Sequence, residues 1–331
     1  MTTATEPILS LDRIKEPIDA ELKAFDKFFR DAMRSKVGLV DLVARYVVRQ
    51  KGKRVRPILV LLSAKASGGL TEATFRGATL VEILHTATLV HDDVVDEADT
   101  RRGLASINAI WKNKVAVLMG DFLLARGLLL ALEHKDYGFL HSTSRAVQRM
   151  SEGELLQIQK TRQLNNDEET YLKIIADKTA SLFSTCTEIG ALSAQAGPVV
   201  QVAMRAYGES VGMAFQIRDD LLDYVGRRGV LGKPVGLDMK EKKLTLPLIV
   251  ALRNAPRTDG SRALNLIRNG ASRKERTWLV DFAERNGGIR YALEKGSAYA
   301  AEAQGHLEAV PPSEARDALQ AFVDFVLRRD R

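Results

Sequence analysis

The sequence predicts an all-α, single-domain bundle. Three observations carry that reading. Apolar residues recur at helical intervals through nearly the whole chain, no alternating run of strand length occurs, and no stretch of linker composition divides the chain. The 331 residues are 45% hydrophobic and 27% charged, with 9 Pro and 24 Gly, which is ordinary globular material with ample substance for a core. Lys and Arg number 49 against 42 Asp and Glu, a formal charge of +7. A basic balance suits a nucleic acid, an anionic membrane or a phosphorylated ligand. One cysteine, Cys186, excludes an internal disulfide and leads us to expect a reducing, cytoplasmic setting. Met1–Ser10 lacks a basic flank followed by an apolar stretch, so no signal peptide is read there.

Leu9–Met33 places Leu11, Ile14, Ile18, Leu22, Phe25 and Phe29 at helical intervals, and Val37–Arg49 repeats the pattern. The basic loop Lys51-Gly52-Lys53-Arg54-Val55-Arg56-Pro57 follows, with Pro57 in a helix's first turn, where its missing N–H is harmless. Ile58–Ser67 is apolar nearly all round and should be buried. Gly68-Gly69 ends it, and Thr71–Glu97 reads as one long helix. Thr100–Ser106 reads as a loop. Ile107–Leu132, Tyr137–Lys160, Asp167–Ala196 and Pro198–Tyr224 are further helices, the third interrupted in character at Lys178-Thr179. Gly226–Gly236 reads as a flexible flap, and Lys240–Ala255 as a helix kinked or broken at Pro247. Ser261–Arg331 gives three or four shorter amphipathic segments punctuated by Gly270, Gly287-Gly288 and Pro311-Pro312. The most apolar stretches, Leu118–Leu132 and Leu244–Leu252, are short or carry Asp121 and Arg126, and are not read as membrane spans.

Two acidic clusters stand out. The first is His91-Asp92-Asp93-Val94-Val95-Asp96, directly before Arg101-Arg102; the second is Asp219-Asp220-Leu221-Leu222-Asp223. Residues four apart in a helix lie about 40° apart round the axis, so Asp92 and Asp96 share a face. Aspartate forms helix poorly, and acids near a helix C-terminus oppose the macrodipole, so something must compensate both clusters. Hard oxygen donors without a His or Cys set point to Mg²⁺, which takes further oxygens from water or phosphate. The expected ligand is therefore a phosphate or diphosphate. Lys53, Arg54, Arg56, Arg101, Arg102, Lys178, Lys233, Lys242 and Lys243 fit that expectation, whereas no nucleic-acid motif or interleaved aromatic set appears. Glu82-Ile83-Leu84-His85 matches the ExxH of di-iron bundles, but a second copy is lacking. His85 precedes Asp92 by seven residues and so falls on the same side of its helix, as a core histidine or a donor to an anion in the same cavity.

These segments resemble the trans-type polyprenyl diphosphate synthases. The matching residues are Gly52–Pro57, the stretch from His91 to Gly103, Gly120-Asp121-Phe122-Leu123, Lys178-Thr179, Phe215–Asp223, Gly232–Gly236 and Thr245-Leu246-Pro247, in the family's order. The resemblance implies an isoprenoid synthase fold, a bundle of roughly ten or more helices around a deep central cavity. It also implies a homodimer with at most peripheral membrane contact. Asp92 and Asp96, with Asp93 beside them, would hold two Mg²⁺ ions, and Asp219, supported by Asp220 and Asp223, a third. Arg101, Lys178, Thr179, Phe215, Gln216 and Lys233 would complete a site for an allylic diphosphate. Lys53, Arg56, His85 and Arg102 would bind isopentenyl diphosphate. Lys243 matches the lysine before the Thr-Leu-Pro triplet, while Lys242 stands where the family has glycine; Lys51-Gly52 replaces its usual Gly-Gly. The implied reaction is a head-to-tail condensation that lengthens a prenyl chain, with the flap closing over the diphosphates. At the fourth and fifth positions before the first motif, short-chain members carry large aromatics. Here Thr88 and Ala87 are small, with Leu84 deeper, which implies a long product of about six to ten isoprene units, near eight, of the kind used as quinone side chains. A short-chain synthase or a regulatory subunit of a heteromeric synthase are the alternatives; complete aspartate clusters argue against the latter.

Overall fold

The computed structural model describes residues 10–50, 52–164, 167–225, 239 and 242–329. Helices account for almost all of it. Ser10 caps α1 (Leu11–Lys15), and a 3₁₀ turn at Glu16–Ile18, carrying Pro17, joins it to α2 (Asp19–Ala32). The single helix expected over Leu9–Met33 is therefore broken where the proline removes a donor. α3 (Gly38–Arg49) follows, and Arg54 in the left-handed region leads into α4 (Val55–Ala66), with Pro57 in its first turn as expected. A capping box between Thr71 and Thr74 opens α5 (Glu72–Val95), and Asp96 is its C-cap.

The segment read as a loop after α5 is a tight antiparallel hairpin. β1 (Thr100–Arg101) pairs with β2 (Leu104–Ala105), Thr100 opposite Ala105. Arg102 and Gly103 turn between them with φ of +52° and +79°, the sign pattern of a type I′ turn. Two-residue strands are too short to leave an alternating pattern in the sequence.

α6 (Ile107–Glu133), capped by Ser106 and interrupted at Lys112, packs along α5. It is longer than the apolar core read at Leu118–Leu132, and by length and composition alone it could cross a membrane. Next come α7 (Tyr137–Gln163), α8 (Glu168–Ile175) capped by Asp167, a π-helical turn at Ala176–Ala180, α9 (Ser181–Ser193) and α10 (Pro198–Val225). The flap expected at Gly226–Gly236, and Lys233 with it, lies outside the described residues. α11 (Leu246–Asn254) begins at Pro247 rather than being kinked by it: Thr245 is the N-cap and the proline sits in the first turn. α12 (Arg257–Asn269), α13 (Arg273–Arg285), α14 (Gly288–His306) and α15 (Glu314–Arg328) complete the described chain, separated at Gly270, Gly287 and the Pro311-Pro312 pair.

The all-round apolar segments form the inside. In α4, Ile58 to Leu62 are fully buried, and α9 is buried along nearly its whole length. α4, α5, α9 and α10 pack on one another, while α6, α7, α14 and α15 lie outside them. Tyr207 on α10 donates its buried hydroxyl to Leu319 O on α15 at 2.8 Å, fixing the last helix across the bundle.

The π-turn is held on two sides by close backbone approach. A Cβ added at Gly153 of α7 would lie 2.9 Å from the Lys178 amide nitrogen, and one at Gly212 of α10 would lie 2.5 Å from Ala180 Cα. Only glycine lets both helices reach the turn. Gly212→Ala should cost about 1–3 kcal/mol of stability through overpacking. Urea unfolding should show a lower midpoint with an unchanged slope.

Candidate active site: two aspartate clusters about a π-helical turn

The C-terminal end of α5 carries the first cluster. Asp93 is buried, and Arg101 Nε donates to its Oδ1 at 2.7 Å, with the guanidinium NH2 on the same oxygen. The hairpin thus folds back to neutralise the middle aspartate. Asp92 is half-buried and Asp96 exposed, so this pair remains for solvent or a ligand. Burial pushes the Asp92 carboxyl up from its ordinary value; Glu154 and Asp96 add to that, against the pull of Lys178 and Arg101. A cation between Asp92 and Asp96 would relieve this crowding.

The second cluster follows the same plan. Asp220 is buried, accepting from Gln216 Nε2 at its Oδ1 (2.7 Å) and from the Tyr171 hydroxyl at its Oδ2 (2.7 Å). Thr179 in turn donates to Gln216 Oε1 at 2.8 Å. Asp219 is exposed and Asp223 half-buried. In each cluster the second aspartate is absorbed by the protein, and the first and fifth positions are presented outward. Among the described residues no three carboxylate, histidine or cysteine groups converge on one point. Paired hard oxygens of this kind suit Mg²⁺, which completes its shell with water and phosphate oxygens.

The π-turn links the clusters. Lys178 acts electrostatically on Asp92 and pairs with Glu154 on α7 at 2.5 Å, while its neighbour Thr179 bonds toward Asp220. The insertion of one extra residue in this helix turn aims consecutive side chains at different clusters, a common use of π-bulges. A cavity of about 150 Å³ opens beside it, lined by Lys160, Tyr171, Lys178, Thr179, Gln216, Asp220, Lys242 and Lys243. Both lysines of the Lys242-Lys243 pair therefore border it, Lys242 in the left-handed region at φ +60°.

A second, smaller cavity of about 40 Å³ is basic. Gly52, Arg54, Glu82, Thr86, Asp93, Arg101 and Arg102 line it. Arg102 donates to Gln50 O at 2.9 Å, and a Cβ at Gly52 would lie 2.6 Å from the Arg102 guanidinium carbon. A side chain at position 52 would push the Arg102 guanidinium from this place. Arg56 sits behind, its guanidinium 5.8 Å from the Phe183 ring and its buried Nε without a hydrogen-bond partner among the described residues. Phe183 packs on Phe215 with centroids 5.0 Å apart. Lys53 borders a neighbouring groove with Asp19, Lys23 and Asp26, and Arg54 pairs with Asp26. The structure thus brings Arg56, His85 and Arg102 to one region, with Lys53 at its far edge. Glu82, whose ExxH spacing suggested a metal ligand, faces Arg56, Arg102 and Arg54 instead; burial raises its carboxyl against their attraction.

Of the chain-length residues, Leu84 and Ala87 are buried in the main apolar cluster. Thr88 donates its hydroxyl to His85 O at 2.9 Å, which leaves the methyl as its outward face. Glu154, Tyr171 and Arg329 were not singled out by sequence. Tyr171 reaches Asp220 from α8, 49 residues away in sequence, and leaves no local signal. Arg329 reaches Asp219 from 110 residues away and leaves none.

His85 is buried, and burial first, then Arg56, Arg102 and Arg101, hold its imidazole well below the ordinary value. The unfolded chain takes up a proton near pH 6.5 that the folded state refuses, so stability falls as pH drops below about 6.5. His85→Gln should flatten the loss between pH 7 and 5, measured by unfolding midpoints of both proteins across that range.

Residues 38–280 match the polyprenyl synthetase family. The all-trans-nonaprenyl-diphosphate synthase (geranyl-diphosphate specific) of Rhodobacter capsulatus is 39% identical over 96% of this chain and 97% of its own length. The octaprenyl diphosphate synthase of Escherichia coli is 33% identical over 98% and 100%. A crystal structure of polyprenyl synthase from Caulobacter crescentus, complexed with calcium and isoprenyl diphosphate, superposes with a TM-score of 0.89 at 33% identity over 99% of this chain and all of that one. The aspartate pairs, the Lys178-Thr179 turn and the basic pocket all fall within or beside the matched span, and the chain belongs to the polyprenyl synthetase family of prenyltransferases.

Proposed function

We propose that the protein condenses isopentenyl diphosphate with an allylic diphosphate, head to tail, to build a long all-trans polyprenyl diphosphate of near eight isoprene units. One observation carries the reading: both clusters absorb their middle aspartate and leave the outer pair outward, with Lys178, which borders a lysine-rich cavity, acting on Asp92. The family is Mg²⁺-dependent. Three ions, two at Asp92 and Asp96 and one at Asp219 and Asp223, are the arrangement we propose. When bound, such ions stabilise the charge that develops as diphosphate leaves carbon.

The chain's own residues then have distinct tasks. Lys178 and Thr179, with Gln216 held by Asp220, place fixed positive and donor groups at the departing diphosphate. Arg102 and Arg56, with neutral His85 between them and the first cluster, hold isopentenyl diphosphate, and the orphaned Arg56 Nε is the donor a phosphate oxygen would take. The allylic C1–O bond breaks, C4 of isopentenyl diphosphate bonds to that carbon, and a proton leaves C2 to the released diphosphate. The product is one isoprene unit longer. Ala87 and Thr88 are small where a large side chain would close the path we propose beside α5, and the eight- and nine-unit relatives support a long product.

Incubation with farnesyl diphosphate, isopentenyl diphosphate and Mg²⁺, followed by mass analysis, tests the reading. Products near eight units are expected, chelation by EDTA should abolish turnover, and Asp92→Asn should lower kcat by roughly a hundredfold or more. Ala87→Tyr should shorten the product; unchanged length would remove Ala87 from the floor of the path.

We also propose a homodimer. Its support is the row of exposed leucines and valines on the outer side of α6, including Val117, Leu118, Leu128, Leu129 and Leu132, which a second copy would cover. Light scattering should give twice the chain mass, and Leu118→Glu combined with Leu132→Glu should shift it to the monomer.

A further inference from the structure

In the second of the two outward-facing pairs a basic side chain, Arg329, is seated directly on the first aspartate. We propose that Arg329, delivered by the end of α15, is the built-in counter-ion of Asp219 in the metal-free protein and competes with the divalent cation for that carboxylate. This inference rests on the reading of Asp219 as a metal ligand.

The guanidinium NH2 of Arg329 lies 3.0 Å from Asp219 Oδ1 and donates to Phe215 O at 3.1 Å. Its Cζ sits 3.7 Å from the Phe215 ring centroid. Arg218 holds the backbone in place, donating from Nε and NH2 to Arg329 O at 3.2 and 3.0 Å. The Arg329 side chain is 7% exposed, while that of Asp219 is 55% exposed. This is not a pair of floppy surface charges, which would contribute little. The cation is pre-oriented inside the protein, and the carboxylate reaches back to it from the solvent side. Burial lowers the Arg329 guanidinium from its ordinary value, and Asp219 is the group that offsets this. Its buried Nε has no hydrogen-bond partner among the described residues.

A divalent ion at Asp219 must therefore share an oxygen already engaged by a fixed positive charge. Two cations at that separation repel. A bare cation binds against this repulsion, whereas a cation arriving with diphosphate brings negative charge that both cations can share. Arg329 thus makes metal occupancy at the second cluster depend on the arrival of diphosphate. The ladder Arg56, Phe183, Phe215, Arg329 runs from the basic pocket to this point, so the arginine is anchored on the same aromatic pair that backs the other substrate's site.

The test uses the full-length protein and Mn²⁺ as the probe, following free Mn²⁺ by electron paramagnetic resonance with and without inorganic diphosphate. Arg329→Met keeps the stem against Phe215 and removes the charge. It should bind bare Mn²⁺ about fivefold more tightly than the parent, the scale of one unit-charge interaction at a few ångströms in water. The enhancement of Mn²⁺ affinity by diphosphate should shrink by a similar factor. Arg329→Lys, which keeps the charge, should stay close to the parent in both measurements. Arg329→Gln replaces Arg329→Met if circular dichroism shows the latter unfolded. If Asp219→Asn weakens Mn²⁺ binding while Arg329→Met leaves it unchanged or weaker, the competition is overturned and the ligand reading of Asp219 stands. If Asp219→Asn leaves Mn²⁺ binding unchanged, the ligand reading falls and takes this proposal with it.

Discussion

The structure is organised by the cost of crowding carboxylates at helix ends. Three aspartates within five residues cannot all be ionised side by side in a partly buried place without compensation. The protein meets this constraint twice with one rule: bury the middle acid against its own donors and leave the outer two outward. Arg101 serves Asp93, and Tyr171 with Gln216 serves Asp220. Arg101 brings a positive charge, whereas Tyr171 and Gln216 bring neutral donors. The first cluster is therefore partly neutralised by its own hairpin. In the second, an arginine is seated on Asp219.

The π-turn is the mechanical counterpart of that electrostatic rule. A regular helix would place Lys178 and Thr179 about 100° apart, on a surface continuous with α8 and α9. The widened turn lets Lys178 act on the first cluster and Thr179 on the second. Below it, Arg149 bonds Asp177 at 2.7 Å and Glu209 at 2.6 Å, and Lys173 reaches Asp177 at 2.8 Å. Burial would raise the Asp177 carboxyl, but these donors outweigh it and hold it below its ordinary value. The turn is thus clamped by glycine contacts above and an ion network below.

Most of the fold was legible because its signals are local. The helical period located nearly every helix, and the glycine and proline punctuation of the last third matched its ends. The pairing of outer aspartates, too, follows from spacing alone. Legibility failed where the cause is non-local or too short. The hairpin has two residues per strand, and Pro247 could be placed at a helix start rather than inside one only once Thr245 was seen to cap it. Glu82 looked like half of a metal motif because its spacing to His85 is local; its actual partners, Arg54, Arg56 and Arg102, come from two other segments. Arg329 is the extreme case, a contact set entirely by how the last helix closes the bundle.

The type I′ turn at Arg102-Gly103 places two guanidiniums on successive residues and sends them to different tasks. Arg101 belongs to the aspartate end of α5, and Arg102 to the backbone of Gln50 and the face of Gly52. They are separated by one planar peptide in a turn with almost no conformational slack. The turn fixes where both side chains start, and the two hydrogen-bond sets fix where they end. Both guanidiniums border the smaller cavity, so one turn of backbone ties the neutralisation of Asp93 to the basic lining of that pocket.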